Sequence, residues 1–291
     1  MDLALLILIR ASTYALVAVG FALVFGSCRV LNLTHGFYVM LGAYSTHFFS
    51  AGLAGLGVSV LREPLAVLCA AVATGLFGWL FFKLMQVTRR TAPAELLPLS
   101  VAANLLGAQT FLILFGTEGL NVAPILQGRI VLGNVTLAAN DLLLPPCALL
   151  TVGALPLWLQ RTRSGMALRA VADDADSAEL MGIRSPEVLA RAVGIAAVLA
   201  GLAGGLTAPT QTLNPNMWIQ PLLVSFAVVV LGGRGRIWGS IFTAFLIALA
   251  EVTVAWVWNE TAAGYAVPVL VLIGLLVRPG GIAQGLAHEI R

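Results

Sequence analysis

The feature that most constrains this chain is the recurrence, from end to end, of apolar runs long enough to cross a bilayer, separated by short polar breaks. A span needs about 20 mostly apolar residues, since the hydrocarbon layer is roughly 30 Å thick and a helix rises 1.5 Å per residue. Such runs lie at Leu3–Ser27, Phe37–Ala51, Pro64–Met85, Leu96–Gly116, Ala139–Gln160, Val188–Leu206, Pro221–Gly233, Ile237–Trp258 and Gly264–Val277. Of the 291 residues, 59% are hydrophobic and only 10% charged, whereas a soluble domain carries roughly a quarter charged residues. Too little polar surface remains to cover a globule in water. Backbone groups in hydrocarbon must be satisfied within their own segment. The runs are continuous rather than alternating, which excludes a transmembrane barrel. The expected fold is therefore all-α, a polytopic transmembrane helical bundle of eight or nine spans forming one domain over 1–291. The second and seventh runs are short enough to be half-spans or re-entrant pieces.

Lys and Arg stay on the cytoplasmic side of short loops. With the N-terminus outside, thirteen of the sixteen basic residues fall inside: Arg29, Lys83, Arg89, Arg90, Arg161, Arg163, Arg169, Arg184, Arg191, Arg234, Arg236, Arg278 and Arg291. Only Arg10, Arg62 and Arg129 fall outside or near the outer end, and Arg10 can snorkel to the interface. With an odd number of spans, the N-terminus is expected outside and the C-terminus in the cytoplasm. Met1–Ile9 has no cleavage site of the A-x-A type and reads as the start of the first span. Cys28, Cys69 and Cys147 stand apart, without metal or redox spacing. No basic run interleaved with aromatics points to nucleic acid. No H-E-x-x-H occurs, and the glycines at 232, 233, 235 and 239 lack the Lys of a phosphate-binding loop. Those glycines, and the pair Gly201 and Gly205, read as tight turns and close helix packing.

Two polar stretches are long. Thr117–Ala138, rich in Gly, Asn and Pro, is expected to be an ordered outer loop. Arg161–Glu187 is expected inside and holds five of the thirteen acidic residues, namely Asp173, Asp174, Asp176, Glu179 and Glu187. Met166–Met181 favours helix by composition, with Gly182 as its C-terminal cap and Pro186 barring continuation. One helix over that range would place Asp174, Ala178 and Gly182 on one face, with Leu180, Met181 and Ile183 adding apolar surface. A helix lying on the membrane is the bland alternative, but the acidic face would be repelled by anionic lipid. Docking into a groove on a protein partner accounts better for the pattern.

The run ALRAVADDADSAELMGI resembles the cytoplasmic coupling loop of branched-chain amino acid ABC transporter permeases, R-A-x-A-x-D-x-x-x-A-x-L-M-G-I. Arg169, Ala170, Ala172, Asp174, Ala178, Leu180, Met181, Gly182 and Ile183 match it. The resemblance extends to an N-x-[AT]-H-G element before L-G-A-Y, carried by Asn32, His35, Gly36, Leu41, Gly42, Ala43 and Tyr44. It continues through VVVLGG, the helix bearing Glu251, and L-V-R-P at Arg278 and Pro279. Phe37 stands where the family often has an acid, and Arg234 where it often has a smaller residue.

The resemblance implies the membrane subunit of an importer, paired with an identical or homologous second permease subunit. Two cytoplasmic ATPase subunits and a periplasmic solute-binding protein would complete the assembly, with lipid around it. ATP would be bound by the partner, so no cofactor and no catalysis are expected of this chain. Branched-chain amino acids come first as substrate, with urea, short amides and aromatic acids as alternatives. Coupling to the ATPase is expected through Arg169, Asp174, Ala178, Leu180, Met181, Gly182 and Ile183.

Candidate pathway residues are Asn32, Thr34, His35 and Gly36, where a polar break interrupts an apolar stretch; such breaks are tolerated only in protein or beside a water-filled cavity. A lone His is more often structural than ligating, and His47 reads as interfacial. Glu251, mid-span, is either pathway lining or half of an interhelical hydrogen bond. Asn104 and Gln109 are open between the same two roles. An ion-coupled secondary transporter would need more paired intramembrane charges, and an intramembrane enzyme a nucleophile or metal constellation that the sequence does not offer.

Overall fold

The computed structural model describes residues 2–28, 32–56, 61–87, 93–132, 135–233 and 237–277. Among these residues the chain forms helices α1 (Asp2–Cys28), α2 (His35–Leu53), α3 (Arg62–Val87), α4 (Pro93–Phe115), α5 (Leu144–Arg161), α6 (Arg163–Asp173), α7 (Ala175–Leu180), α8 (Ser185–Thr207), α9 (Ile219–Gly232), α10 (Ile237–Val257) and α11 (Glu260–Val277). Six of them, α1, α3, α4, α5, α8 and α10, are long and apolar enough to cross a membrane. The apolar α9 and α11 are shorter, and α2 has 19 residues. The chain is thus a polytopic helical membrane protein.

One departure from an all-helical expectation lies in the long loop before α5. Strands β1 (Arg129–Leu132) and β2 (Val135–Ala138) pair antiparallel, Arg129 opposite Ala138 and Leu132 opposite Val135. The order foreseen for this loop is present, but as a hairpin rather than irregular chain. We call the side of the molecule bearing these strands the hairpin end, and the side bearing α6 and α7 the connector end.

The bundle is organised around α8. Its Ala190, Ala192, Val193, Ala196, Ala197, Ala200 and Ala203 are all almost fully buried. Lipid tails are as apolar as leucine, so helices associate in a bilayer by close packing rather than by a hydrophobic driving force, and small residues allow that approach. A side chain added at Gly42 of α2 would lie 2.4 Å from Gly201 Cα, and one at Gly75 of α3 would lie 2.2 Å from Val198. Gly201 in turn packs on Thr74 and Ala71 of α3, as its spacing from Gly205 predicts. Gly239 of α10 meets Gly232 of α9, while Gly235 falls outside the described residues. The opposite face of α3 exposes Leu68, Val72, Leu76, Leu80 and Leu84. These recur every fourth residue and so form one stripe on the helix, the surface expected to meet lipid.

Two helices begin inside the bundle. The His35 ring donates from Nε2 to the Val17 carbonyl at 2.8 Å. Val17 lies eleven residues before the end of α1 at Cys28, roughly 16 Å along the axis. Helix α2 therefore starts within the bundle, at the level of Val17, as a broken or re-entrant segment would. The short α9 starts at the same level, since a side chain at Gly36 would lie 2.5 Å from the carbonyl of Trp218, the residue that precedes α9. The connection from α8 to α9 descends from the hairpin end and is pinned by a bridge between Leu213 and Leu120.

Candidate functional site

The polar break is a turn held by its own side chains. Asn32 Oδ1 accepts from the Thr34 amide at 3.1 Å, and the Asn32 carbonyl accepts from the His35 amide at 3.4 Å. Helix α4 supplies the rest: Ser100 Oγ accepts from the Leu33 amide at 3.1 Å, and Thr34 Oγ1 donates to the Ser100 carbonyl at 3.5 Å. His35 is buried, with Phe21 and Tyr38 edge-on to its ring. The Tyr38 hydroxyl faces Asn32 and Thr34 without closing a hydrogen bond among the described residues. Beneath the turn, Asn32, Ser100, Leu96, Phe81, Phe82, Met85 and Val24 line a cavity of about 20 Å³, room for one water.

Phe37 sits edge-on to Phe77 and Phe111, and its ring fills the space above Gly107 of α4. An aromatic cluster therefore occupies that position, continued by Tyr44 against Phe111 and Phe115. His47 is tied to the long loop before α5 through the Asn121 carbonyl.

A larger cleft of about 380 Å³ lies at the hairpin side of α9. The α8–α9 connection contributes Gln211, Asn214, Asn216 and Met217; α9 contributes Ile219, Gln220, Leu223 and Val224; α10 contributes Glu251; and α11 contributes Gly264, Val267 and Pro268. Glu251 is 7% exposed and accepts from the Tyr14 hydroxyl of α1. It thus makes the interhelical hydrogen bond of one reading, and it also lines this cleft. Tyr14 also faces Gln220.

The structure brings Asn32, Thr34, His35 and Gly36 into one turn and leaves Glu251 in a separate cleft. One turn of α1 joins them, because Val17 holds His35 and Tyr14 holds Glu251. Asn104 lines neither cavity; it is buried and its Oδ1 has no partner among the described residues. Gln109 is exposed. Sequence reasoning missed Tyr14, Ser100 and the cleft amides. The run from Gln211 to Gln220, with two Asn and two Gln between apolar spans, was the available signal for the amides. Nothing local marks Tyr14 or Ser100.

At the connector end, the single helix expected over Met166–Met181 is broken. Asp174 has extended backbone (φ −153°, ψ 106°) and separates α6 from α7. Its carboxylate accepts from the Asp176 amide at 3.1 Å, the Ser177 amide at 3.2 Å and Ser177 Oγ at 2.6 Å. It therefore caps α7 rather than lining a face with Ala178 and Gly182, because Asp satisfies free amides at a helix start better than it serves a helix interior. The C-terminal cap is as expected. Gly182 has φ +83°, its amide reaches the Glu179 carbonyl at 2.9 Å, and the Ile183 amide reaches that of Ala178 at 3.0 Å, the paired bonds of a Schellman ending. Ala178 is buried, Arg169 is exposed, and Leu180 and Met181 are 88% and 84% exposed.

With six residues, α7 is too short to persist without its caps. Asp174→Ala removes three bonds and should destabilise it by about 1 kcal/mol. The expected result is faster amide exchange confined to residues 175–182, with α8 unchanged; uniform exchange across the connector would contradict the capping role.

A membrane-embedded helical bundle with re-entrant helix starts, a polar cleft and an exposed capped connector is a polytopic membrane permease. The chain belongs to the family of branched-chain amino acid transport system permease components, which it matches over residues 3–276. It is 28% identical to the high-affinity branched-chain amino acid transport system permease protein BraD of Pseudomonas aeruginosa, over 93% of this chain and 91% of that one. It is 27% identical to the corresponding LivH protein of Escherichia coli over the same shares. A partial likeness, 30% over 49% of this chain and 42% of the relative, links it to the autoinducer 2 import system permease protein LsrC of Yersinia enterocolitica. No solved structure matches.

Proposed function

We propose that this chain is the membrane-spanning, non-catalytic subunit of an ABC importer, a single permease unit that passes branched-chain amino acids using ATP hydrolysed by partner chains. The observation that carries the reading is α7, a helix capped at both ends that holds Leu180 and Met181 almost fully in solvent at the connector end. Water-exposed apolar side chains on an ordered tip fit insertion into a groove on a partner. The distribution of basic residues puts this end in the cytoplasm, where two ATPase subunits would seat on it. The hairpin end then faces outward, toward a solute-binding protein, and a second permease subunit completes the pathway. Closure of the ATPase pair would push α7 and, through α6 packed on α1 and α8, shift the re-entrant turn at Asn32, Thr34, His35 and Gly36. Glu251 and Asn104 are the remaining polar groups assigned to the pathway.

The test is co-purification in detergent with a co-expressed ATPase encoded beside the permease. Wild type should retain it, and the double variant Leu180→Asp/Met181→Asp should lose more than nine-tenths while still inserting. Retention by the variant would remove α7 as the docking element. No ATPase on either protein, together with ion-driven uptake, would transfer the assignment to a secondary transporter.

A further inference from the structure

The cleft beside α9 has a charge character that the importer reading does not specify. Of the twelve described residues around it, the only ionisable one is Glu251; its polar companions are the amides of Gln211, Asn214, Asn216 and Gln220, and no Lys, Arg or His among the described residues lines it. Glu251 uses Oε2 to accept from Tyr14, while Oε1 accepts no hydrogen bond among the described residues. A carboxylate this far inside a membrane protein is expensive unless something positive or hydrogen-bonding completes its shell. Arg10 lies one turn from Tyr14 on α1 and is exposed, but it is not part of the cleft. The α9 start offers little to an anion, because Pro221 has no amide hydrogen and the Ile219 amide is already bonded to the Asn216 carbonyl at 3.2 Å.

We propose that this cleft is a subsite for the ammonium group of the solute, with Glu251 as its counter-charge, Tyr14 holding the carboxylate, and the cleft amides as neutral acceptors for the remaining N–H groups. The proposal rests on the importer reading for the identity of the solute, but the charge preference of the cleft is a property of this chain alone. It separates the candidate substrates: solutes with a protonated amine are accepted, whereas aromatic acids and other monocarboxylates without an amine are rejected by the same carboxylate. A single-sign cleft with low-dielectric walls raises the local concentration of counter-ions by about tenfold or more.

Gly264 supplies the probe position. It lines the cleft, and a side chain added there meets nothing within 4 Å. In membrane vesicles carrying the full transport system, Gly264→Cys is introduced with Cys28, Cys69 and Cys147 replaced by alanine. Its modification by a cationic and an anionic methanethiosulfonate of similar size is then timed. After correction for intrinsic reactivity, the cationic reagent should react about tenfold faster. The preference should vanish with Glu251→Gln and persist with Tyr14→Phe, which keeps the charge. L-leucine and isoamylamine should protect the thiol, and 4-methylvalerate should not. Equal rates for the two reagents, or protection by 4-methylvalerate equal to that by L-leucine, would overturn the proposal. Uptake of labelled leucine by the same vesicles is scored separately: its loss with the charge preference intact would count against the importer reading and leave the subsite standing.

Discussion

Gly204→Ala is expected to disrupt the bundle more than a methyl added at any other glycine of α8. The new Cβ would lie 2.0 Å from the Val39 carbonyl oxygen and 3.0 Å from the Ala43 amide nitrogen. Both neighbours are helix backbone, which has no rotamer by which to yield. Helices α2 and α8 would have to separate by about 1 Å, losing the contacts on which packing in lipid depends. A destabilisation of about 3 kcal/mol is the expected scale, read as a fall in the thermal unfolding midpoint in detergent and a smaller monodisperse yield. Gly153→Ala is the control of opposite sign. That glycine is on α5 with nothing within 4 Å of the added atom, so relief of backbone entropy should stabilise by about 0.5–1 kcal/mol. Equal behaviour of the two variants would refute close backbone packing at Gly204.

The second large effect is expected at His35. Alanine there removes a buried ring that donates to Val17 and meets Phe21 and Tyr38 edge-on. Loss of an aromatic-sized group from a packed site costs about 3 kcal/mol, and the turn between α1 and α2 loses its tie to α1. Transport should fall to background and thermal stability should drop by several degrees. Co-purification with the proposed ATPase partner should survive, because the caps of α7 are bonds among residues 174–183. His35→Gln, which can still donate toward Val17, should recover part of the stability. If alanine and glutamine variants are equally unstable, the hydrogen bond is irrelevant and the ring volume alone matters.

How far these residues could be read in advance follows from what determines each of them. The helix ends at Gly182 and before Pro186 are local, since a left-handed glycine and a proline act on their own backbone wherever they occur. The polar turn at Asn32 was equally legible, because polar side chains inside an apolar run must be satisfied within protein. Asp174 was misplaced for a related reason. Helix composition on both sides of it suggested continuity, yet an acidic side chain with two free amides following it does better as a cap. The hairpin at Arg129–Ala138 was legible in the Gly133-Asn134 pair, a two-residue hairpin signal, and was missed because its strands are only four residues long.

What the sequence by itself determined was the solvent, the helical class, the broken entry to α2, the ending of α7 and the family, all of which follow from hydropathy, local backbone preference or contiguous motifs. Which polar groups meet was decided only by the tertiary structure. Tyr14 and Glu251 are separated by 237 positions, and Leu33 and Ser100 by 67. No periodicity links such pairs, because in a membrane the facing of one helix toward another is set by where small residues let backbones approach. The close contacts of Gly42 with Gly201 and of Gly204 with Val39 rotate α2 and α8 into register. The cleft beside α9 is a consequence of that packing and of a helix too short to fill its span.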